Sequence, residues 1–101
     1  MARFAQQTRL QAAEGKAVAL VDKFVEAADM QRSNPACEVM LAGVSASEAD
    51  VVYLFEIWSS EAEWEQARTS DEITAWSRGM PGLVAGPPQS IRLDAVAGKG
   101  I

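Results

Sequence analysis

Hydrophobic and polar positions change their spacing several times along the chain, and each change predicts a new element of secondary structure. Residues 3–11 alternate with a period of two, which is typical of a half-buried strand. Residues 16–32 carry apolar side chains at helical spacing, and the segment Ser33-Asn34-Pro35 ends this predicted helix. The stripe that we expect to pack inward consists of Val18, Val21, Val25 and Ala28, with Leu20 and Phe24 beside it.

Three further segments have the pattern of strands. Residues 37–42 alternate again, residues 51–58 are the strongest run of strand-forming residues, and residues 91–96 predict a last strand. The resulting order, β-α-β-β-α-β, predicts one α+β domain over residues 1–101 with the ferredoxin-like arrangement, an antiparallel sheet covered on one face by helices. We expect residues 97–101 to be a frayed tail.

The second helical region is predicted to be divided in two. Ser60 followed by Glu63 is a capping-box pattern, which favours a short helix that turns Trp64 inward. The segment Thr69-Ser70-Asp71 has the pattern of a second N-terminal cap, which opens another helix. The inward stripe of that helix consists of Ile73, Trp76, Ser77 and Met80.

The strand at residues 51–58 is apolar on both faces, whereas an antiparallel sheet in a monomer usually keeps one face polar. Helices cover one face, and the chain offers no second layer for the other. A second copy of the sheet is the simplest cover, so we predict a homodimer joined through this sheet face as an α+β barrel. The dimer face carries Val51, Tyr53, Phe55 and Ile57, and the helix face carries Val52, Leu54, Glu56 and Trp58.

The composition of the chain excludes several kinds of partner, catalytic group and cofactor. The 101 residues carry a net charge of −5, which argues against nucleic acid as a partner. No apolar run is long enough to cross a membrane, and the N-terminus lacks the apolar stretch of a signal peptide, so we expect a cytoplasmic protein. Histidine is absent and Cys37 is the single cysteine, which excludes imidazole catalysis and the usual zinc sites. With no phosphate-binding loop either, we predict no metal, haem or flavin cofactor.

Three stretches resemble the antibiotic biosynthesis monooxygenase family. They are the entry to the second strand, the strand end with its tryptophan and helix cap, and the bend before the last strand. In this sequence they read Asn34-Pro35-Ala36-Cys37, Leu54-Phe55-Glu56-Ile57-Trp58-Ser59-Ser60-Glu61 and Gly86-Pro87-Pro88. The resemblance implies a ferredoxin-like domain whose sheets pair into a dimeric barrel. It also implies an oxygenase that acts on aromatic polyketides or quinols without metal or flavin.

Residues of the strand at 51–58 are the first candidates for a site. Trp58 matches the family's pocket tryptophan, and its indole N–H can bond a substrate or peroxide oxygen; the alternative is a core tryptophan packed under the helices. Glu56 alternates onto the same face, where burial raises the pKa of a carboxyl and suits it as a base. The alternative for Glu56 is a salt bridge at the sheet edge. Leu54 is predicted to line the same pocket.

The helices supply the remaining candidates. Trp64 and Trp76 are expected to face the sheet, either as pocket walls or as ordinary core. Arg78 matches a family arginine by its spacing from Trp58, and a guanidinium can stabilise a phenolate or peroxide anion. The helical stripe instead turns Arg78 away from the sheet, as a solvated cation in the last turn.

The favoured function is a cofactor-independent monooxygenase that oxidises an aromatic or quinol-like small molecule with O₂. Two alternatives use the same scaffold: a non-oxidative enzyme such as a cyclase or isomerase, and a non-catalytic dimeric module that binds small molecules. An apolar pocket with a few polar groups suits all three.

Overall fold

The computed structural model describes residues 3–95 and 98–99. This part of the chain forms four strands and three helices in the predicted order, with the second helical region divided in two. They are β1 (Arg3–Gln11), α1 (Ala17–Met30), β2 (Cys37–Val44), β3 (Val51–Trp58), α2 (Glu61–Arg68), α3 (Asp71–Ser77) and β4 (Gln89–Ala95). The last strand begins two residues earlier than predicted. Val96 and most of the predicted tail at 97–101 lie outside the described residues.

The four strands form one antiparallel sheet in the order β2-β3-β1-β4. This order places β1 and β3 in the centre and confirms the predicted ferredoxin-like α+β fold. Phe4 lies opposite Trp58 and Leu10 lies opposite Val52 in the central pair. Because side chains alternate between faces, this register fixes which residues of the two central strands share the helix-covered face.

The helix-covered face contains the hydrophobic core, but the packed stripe of α1 differs from the predicted one. Val18 is 68% exposed and Val25 is 47% exposed, so that part of the prediction was wrong. The buried residues of α1 are Ala17, Leu20, Phe24 and Ala27. This neighbouring stripe has the same helical spacing, and its two alanines allow the helix backbone to lie close to the sheet.

Both predicted N-terminal caps of the short helices are confirmed. The Ser60 hydroxyl accepts a hydrogen bond from the backbone N–H of Glu63 at 3.2 Å, and Ser70 does the same for Ile73 at 3.3 Å. These bonds satisfy N–H groups that a helix start leaves unpaired. Among the described residues, no helix combines the length and apolarity required to span a membrane.

A β-bulge at the start of β2 changes the predicted alternation of that strand. Cys37 lies opposite Trp58, but Val39 already lies opposite Ile57, so two residues of β2 span one step of β3. The extra residue reverses the face from that point. Cys37 therefore lies on the helix-covered side with Met40, whereas regular alternation would put Cys37 on the same side as Val39.

No helix formed by residues 3–95 lies over the opposite face of the sheet. Leu41, Phe55 and Ile91 lie in one row across the strands, with Gln7 between the last two. Leu41 is 64% exposed and Ile91 is 60% exposed. A row of apolar side chains in water is costly, so this open face is the surface on which the predicted homodimer depends.

Candidate functional site

A cavity of about 380 Å³ lies between the helix-covered face of the sheet and the three helices. All four strands and all three helices contribute to its wall. The residues that line it are Gln6, Thr8, Leu10, Phe24, Ala27, Gln31, Met40, Leu54, Glu56, Trp58, Trp64, Ala67, Arg68, Ile73, Trp76, Ser77, Met80, Pro88 and Ser90. A volume of this size is near the lower end of small-molecule sites, which are roughly 300–1,000 Å³.

Tryptophans form three parts of the cavity wall. Trp58 is buried at the end of β3, and Trp64 stacks on Phe4 with ring centroids 4.7 Å apart. Trp76 packs against Phe24 at 5.6 Å. The three side chains leave the space between them open, and flat aromatic walls of this kind favour an aromatic ligand through offset stacking.

Trp76 also joins two helices beside the cavity. Its indole N–H donates a hydrogen bond to the backbone carbonyl of Lys23 at 2.7 Å, and the Lys23 ammonium lies 5.5 Å from the centre of the Trp76 ring. These contacts tie α3 to α1, and they fix the orientation of the indole ring at the cavity wall.

Glu56 is the principal ionisable group of the site. Its side chain is only 6% exposed and lies in the cavity wall, where its carboxyl oxygen Oε1 accepts a hydrogen bond from the Trp58 indole N–H at 3.1 Å. Burial raises the pKa of Glu56, and the bond from Trp58 opposes that rise in part. Among the ion pairs formed within residues 3–95, none involves Glu56. A buried carboxyl without a cation is suited to accept and release a proton.

The Trp58 indole has a different partner from the one expected. The sequence suggested that its N–H would bond a substrate or peroxide oxygen, whereas the structure directs it to Glu56. Two residues of the same strand face are therefore coupled, with the indole holding the carboxyl in place.

A polar trio that the sequence argument did not single out lies on the same cavity wall. The side-chain amide nitrogen of Gln6 is 3.3 Å from the Thr8 hydroxyl and 3.5 Å from the Ser90 hydroxyl, and the two hydroxyls are 3.1 Å apart. The available signal was that Gln6 and Thr8 share a strand face with Phe4 and Leu10. Polar residues at positions that face a core indicate a functional site.

The two arginines of this region differ in position. Arg78 is exposed at the C-terminal end of α3 and is not among the residues that line the cavity. Arg68 does line the cavity, with its guanidinium 5.0 Å from the centre of the Trp64 ring. The same guanidinium donates two hydrogen bonds to the Glu65 carboxylate, at 2.9 and 2.8 Å. The structure thus brings Leu54, Glu56 and the three tryptophans together around one cavity and leaves Arg78 outside it.

Cys37 contributes no nucleophile to the site. Burial, together with the nearby charge of Glu56, raises the pKa of the Cys37 thiol to about 11. A thiol with such a pKa stays protonated near neutral pH and is a weak nucleophile. Within the described ranges, no cluster of three or more potential metal-ligating Cys, Asp or Glu side chains is present.

Fold and site together define a ferredoxin-like α+β domain with an aromatic-walled cavity beneath its helices. The sequence profile named Antibiotic biosynthesis monooxygenase matches residues 3–79. The chain belongs to this family, as the sequence resemblance predicted.

Solved structures share the fold of this chain. A candidate antibiotic biosynthesis monooxygenase from Caulobacter crescentus CB15 is 25% identical, with a TM-score of 0.86 over 95% of this chain and 92% of that one. Another, from Chloroflexus aurantiacus J-10-fl, is 20% identical, with a TM-score of 0.86 over 98% of each chain. A protein from Pseudomonas aeruginosa is 20% identical, with a TM-score of 0.81 over 96% of this chain and 97% of that one. No curated protein matches the sequence significantly.

Proposed function

We propose that this protein is a cofactor-independent monooxygenase that oxidises an electron-rich aromatic molecule with O₂, and that Glu56 is its base. The observation that carries the proposal is the buried carboxyl of Glu56 in the wall of an aromatic cavity, with a raised pKa and with Trp58 as its hydrogen-bond donor. Family membership supports oxygenation as the class of reaction.

The cavity suits a substrate with aromatic rings. Trp58, Trp64 and Trp76 supply flat apolar surfaces, and the volume of about 380 Å³ limits the ligand to a small ring system. The helices cover one side of the cavity, and an aromatic ligand bound against its apolar walls displaces water from them, which strengthens charge interactions at Glu56.

The reaction balances without any further reductant when the substrate is an anthrone. Glu56 removes a proton from the CH₂ carbon, and the resulting anion gives one electron to O₂. The carbon radical and superoxide then combine, and the proton held by Glu56 completes a hydroperoxide. Loss of water, which contains the second hydrogen of the carbon and one oxygen atom, leaves a ketone, so that R₂CH₂ and O₂ give R₂C=O and H₂O.

The working unit of this proposal is a homodimer joined through the open face of the sheet. The exposed Leu41 and Ile91 and the half-buried Phe55 support it, because a second copy would remove this apolar row from water. Each chain keeps its own cavity on the opposite, helix-covered side of the sheet.

Oxygen uptake with anthrone as the substrate tests the proposal. We expect the wild-type protein to consume one O₂ per anthrone, and we expect Glu56→Gln to lower the rate about 10²- to 10⁴-fold, the usual contribution of a general base. Glu14→Gln, which alters an exposed carboxylate in the turn before α1, is the matched control and should keep the wild-type rate.

Two results would contradict the proposal. An unchanged rate in Glu56→Gln would remove Glu56 as the base. Saturable binding of anthrone without oxygen uptake would favour a binding module instead of an oxygenase.

A further inference from the structure

We infer that Gln6, Thr8 and Ser90 form a binding site for a hydroxyl group of the ligand, placed so that this hydroxyl lies beside Glu56. The ligand class, an aromatic small molecule, rests on the proposed function. The inference adds two points to that function: the ligand carries an oxygen substituent, and these three side chains bind it.

The position of the trio in the sheet supports this inference. Gln6 on β1 lies directly opposite Glu56 on β3, and Thr8 lies directly opposite Ser90 on β4. Directly opposed residues of an antiparallel pair have Cβ atoms roughly 4.5–5.5 Å apart. Hydrogen-bond donors and the carboxyl of Glu56 therefore form one polar strip across an otherwise largely apolar cavity wall.

The trio contains one hydrogen-bond donor more than its internal hydrogen bonds use. The Gln6 amide has two N–H hydrogens, and each hydroxyl has one, which makes four donors. The bonds within the trio use three of them: two from Gln6 and one between Thr8 and Ser90. Whichever hydroxyl donates in that last bond, the hydrogen of the other has no acceptor within the trio.

The lengths of these bonds also indicate unused capacity. The hydroxyl–hydroxyl distance is 3.1 Å and the amide distances are 3.3 and 3.5 Å. Most O–H···O bonds are about 2.7–2.8 Å and most N–H···O bonds about 2.9–3.0 Å. Side chains whose mutual bonds are long can rearrange around an oxygen atom of a ligand at little cost.

Burial argues against a purely structural reason for these polar groups. Thr8 is buried on the core-facing side of a central strand, and Gln6 is half-buried beside it. Valine and leucine would fill the same positions without desolvating a polar group. Ser90, on the edge strand, is exposed and extends the strip to the rim of the cavity.

A hydroxyl held by the trio can transfer its proton directly to Glu56. For an anthrone this is the hydroxyl of the enol tautomer, and its proton takes the place of the CH₂ proton because the loss of either one gives the same anion. The O–H bond of the ligand breaks, the proton joins the Glu56 carboxylate, and the electron pair stays on the ligand oxygen. The trio then donates hydrogen bonds to this oxyanion, and Glu56 becomes neutral, so that two negative charges never lie side by side.

Equilibrium binding without oxygen tests the inference independently of turnover. The probes are 1-naphthol and 1-methylnaphthalene, which have similar shapes but differ in the hydroxyl. We expect the wild-type protein to prefer 1-naphthol, and we expect Thr8→Val and Gln6→Leu each to reduce this preference about three- to tenfold, as for the loss of one hydrogen bond. Isothermal titration calorimetry gives both affinities.

Gln7→Leu is the matched control, because Gln7 is the next residue of β1 and lies on the open face of the sheet. This variant should keep the wild-type preference. The inference is overturned if the wild-type protein binds 1-methylnaphthalene as tightly as 1-naphthol, or if Thr8→Val and Gln6→Leu both retain the full preference. A wild-type preference for 1-naphthol without oxygen uptake from anthrone would overturn the proposed function and still support the hydroxyl site.

Discussion

The indole N–H of Trp58 donates a hydrogen bond to the Glu56 carboxyl at 3.1 Å, and both side chains are almost fully buried. The two residues are two positions apart on β3, so the pleat of the strand turns them to the same face. The bond favours the charged form of a carboxyl that burial disfavours. The protonation of Glu56 therefore depends on Trp58.

Trp58→Phe should move the pKa of Glu56 further upward, because it removes the hydrogen bond that lowers this pKa and leaves the burial that raises it. Carbon-13 NMR of the side-chain carboxyls, followed against pH, measures the midpoint, and Glu56→Gln identifies the signal. Trp76→Phe is the control, since the N–H of Trp76 donates to the Lys23 carbonyl. An equal shift in both variants, or none in Trp58→Phe, would contradict the coupling.

Glu56 should also make the stability of the protein depend on pH. The pKa of this carboxyl is raised above 4.5 in the folded state, so the folded chain binds more protons than the unfolded chain between pH 4.5 and the raised value. The stability that Glu56 supports is therefore complete below about pH 4.5. It is lost as pH rises through the raised pKa.

Glu56→Gln keeps a neutral side chain at every pH and should escape that loss. We expect the free energy of unfolding of the variant, relative to that of the wild type, to increase as pH rises through this window. Above the raised pKa of Glu56 this difference should stay constant. Urea unfolding from pH 4 to pH 8 at one protein concentration measures the difference. Glu14→Gln removes an exposed carboxylate and serves as the control. If this difference in unfolding free energy instead decreases as pH rises, the pKa of Glu56 is lowered in the folded state and not raised.

The fold followed from the sequence because its local signals agree with one another. Two-residue alternation marked the strands, and the cap patterns at Ser60 and at Thr69-Ser70-Asp71 marked where the short helices begin. The packed face of α1 was harder to predict, because α1 carries two neighbouring apolar stripes. Valines dominate the exposed stripe and small alanines contribute to the buried one, so hydrophobicity alone favoured the wrong stripe.

The site followed from the sequence only in part. Alternation along β3 placed Leu54, Glu56 and Trp58 together, and the structure brings them to one cavity wall. The trio of Gln6, Thr8 and Ser90 could not be predicted from the sequence, because Ser90 contacts Thr8 only through the pairing of β1 with β4. The partner of the Trp58 indole depends on the side-chain torsions of Glu56, which no periodicity reveals.

The proposed homodimer leads to a prediction for the open face of the sheet. Leu41 and Ile91 are on the two edge strands and exposed, so a glutamate at either position should cost the single chain little stability. At an interface between two sheets, the same glutamate becomes a buried charge without a partner, which is strongly unfavourable. We therefore expect Leu41→Glu to dissociate the dimer into folded monomers.

Size-exclusion chromatography with light scattering, at micromolar concentration, measures the mass of each variant. Val18→Glu is the matched control, because Val18 is 68% exposed on α1, on the helical side of the molecule, while Leu41 is 64% exposed on the open face. Because the two positions are similarly exposed but lie on different sides of the molecule, the comparison separates an effect of the open face from a general effect of adding a surface charge. If the open face is the interface, the wild-type protein and Val18→Glu have twice the chain mass and Leu41→Glu has the single mass with unchanged circular dichroism. A wild-type protein of single chain mass, or a dimer that survives Leu41→Glu and Ile91→Glu together, would mean that the open face is not the dimer interface.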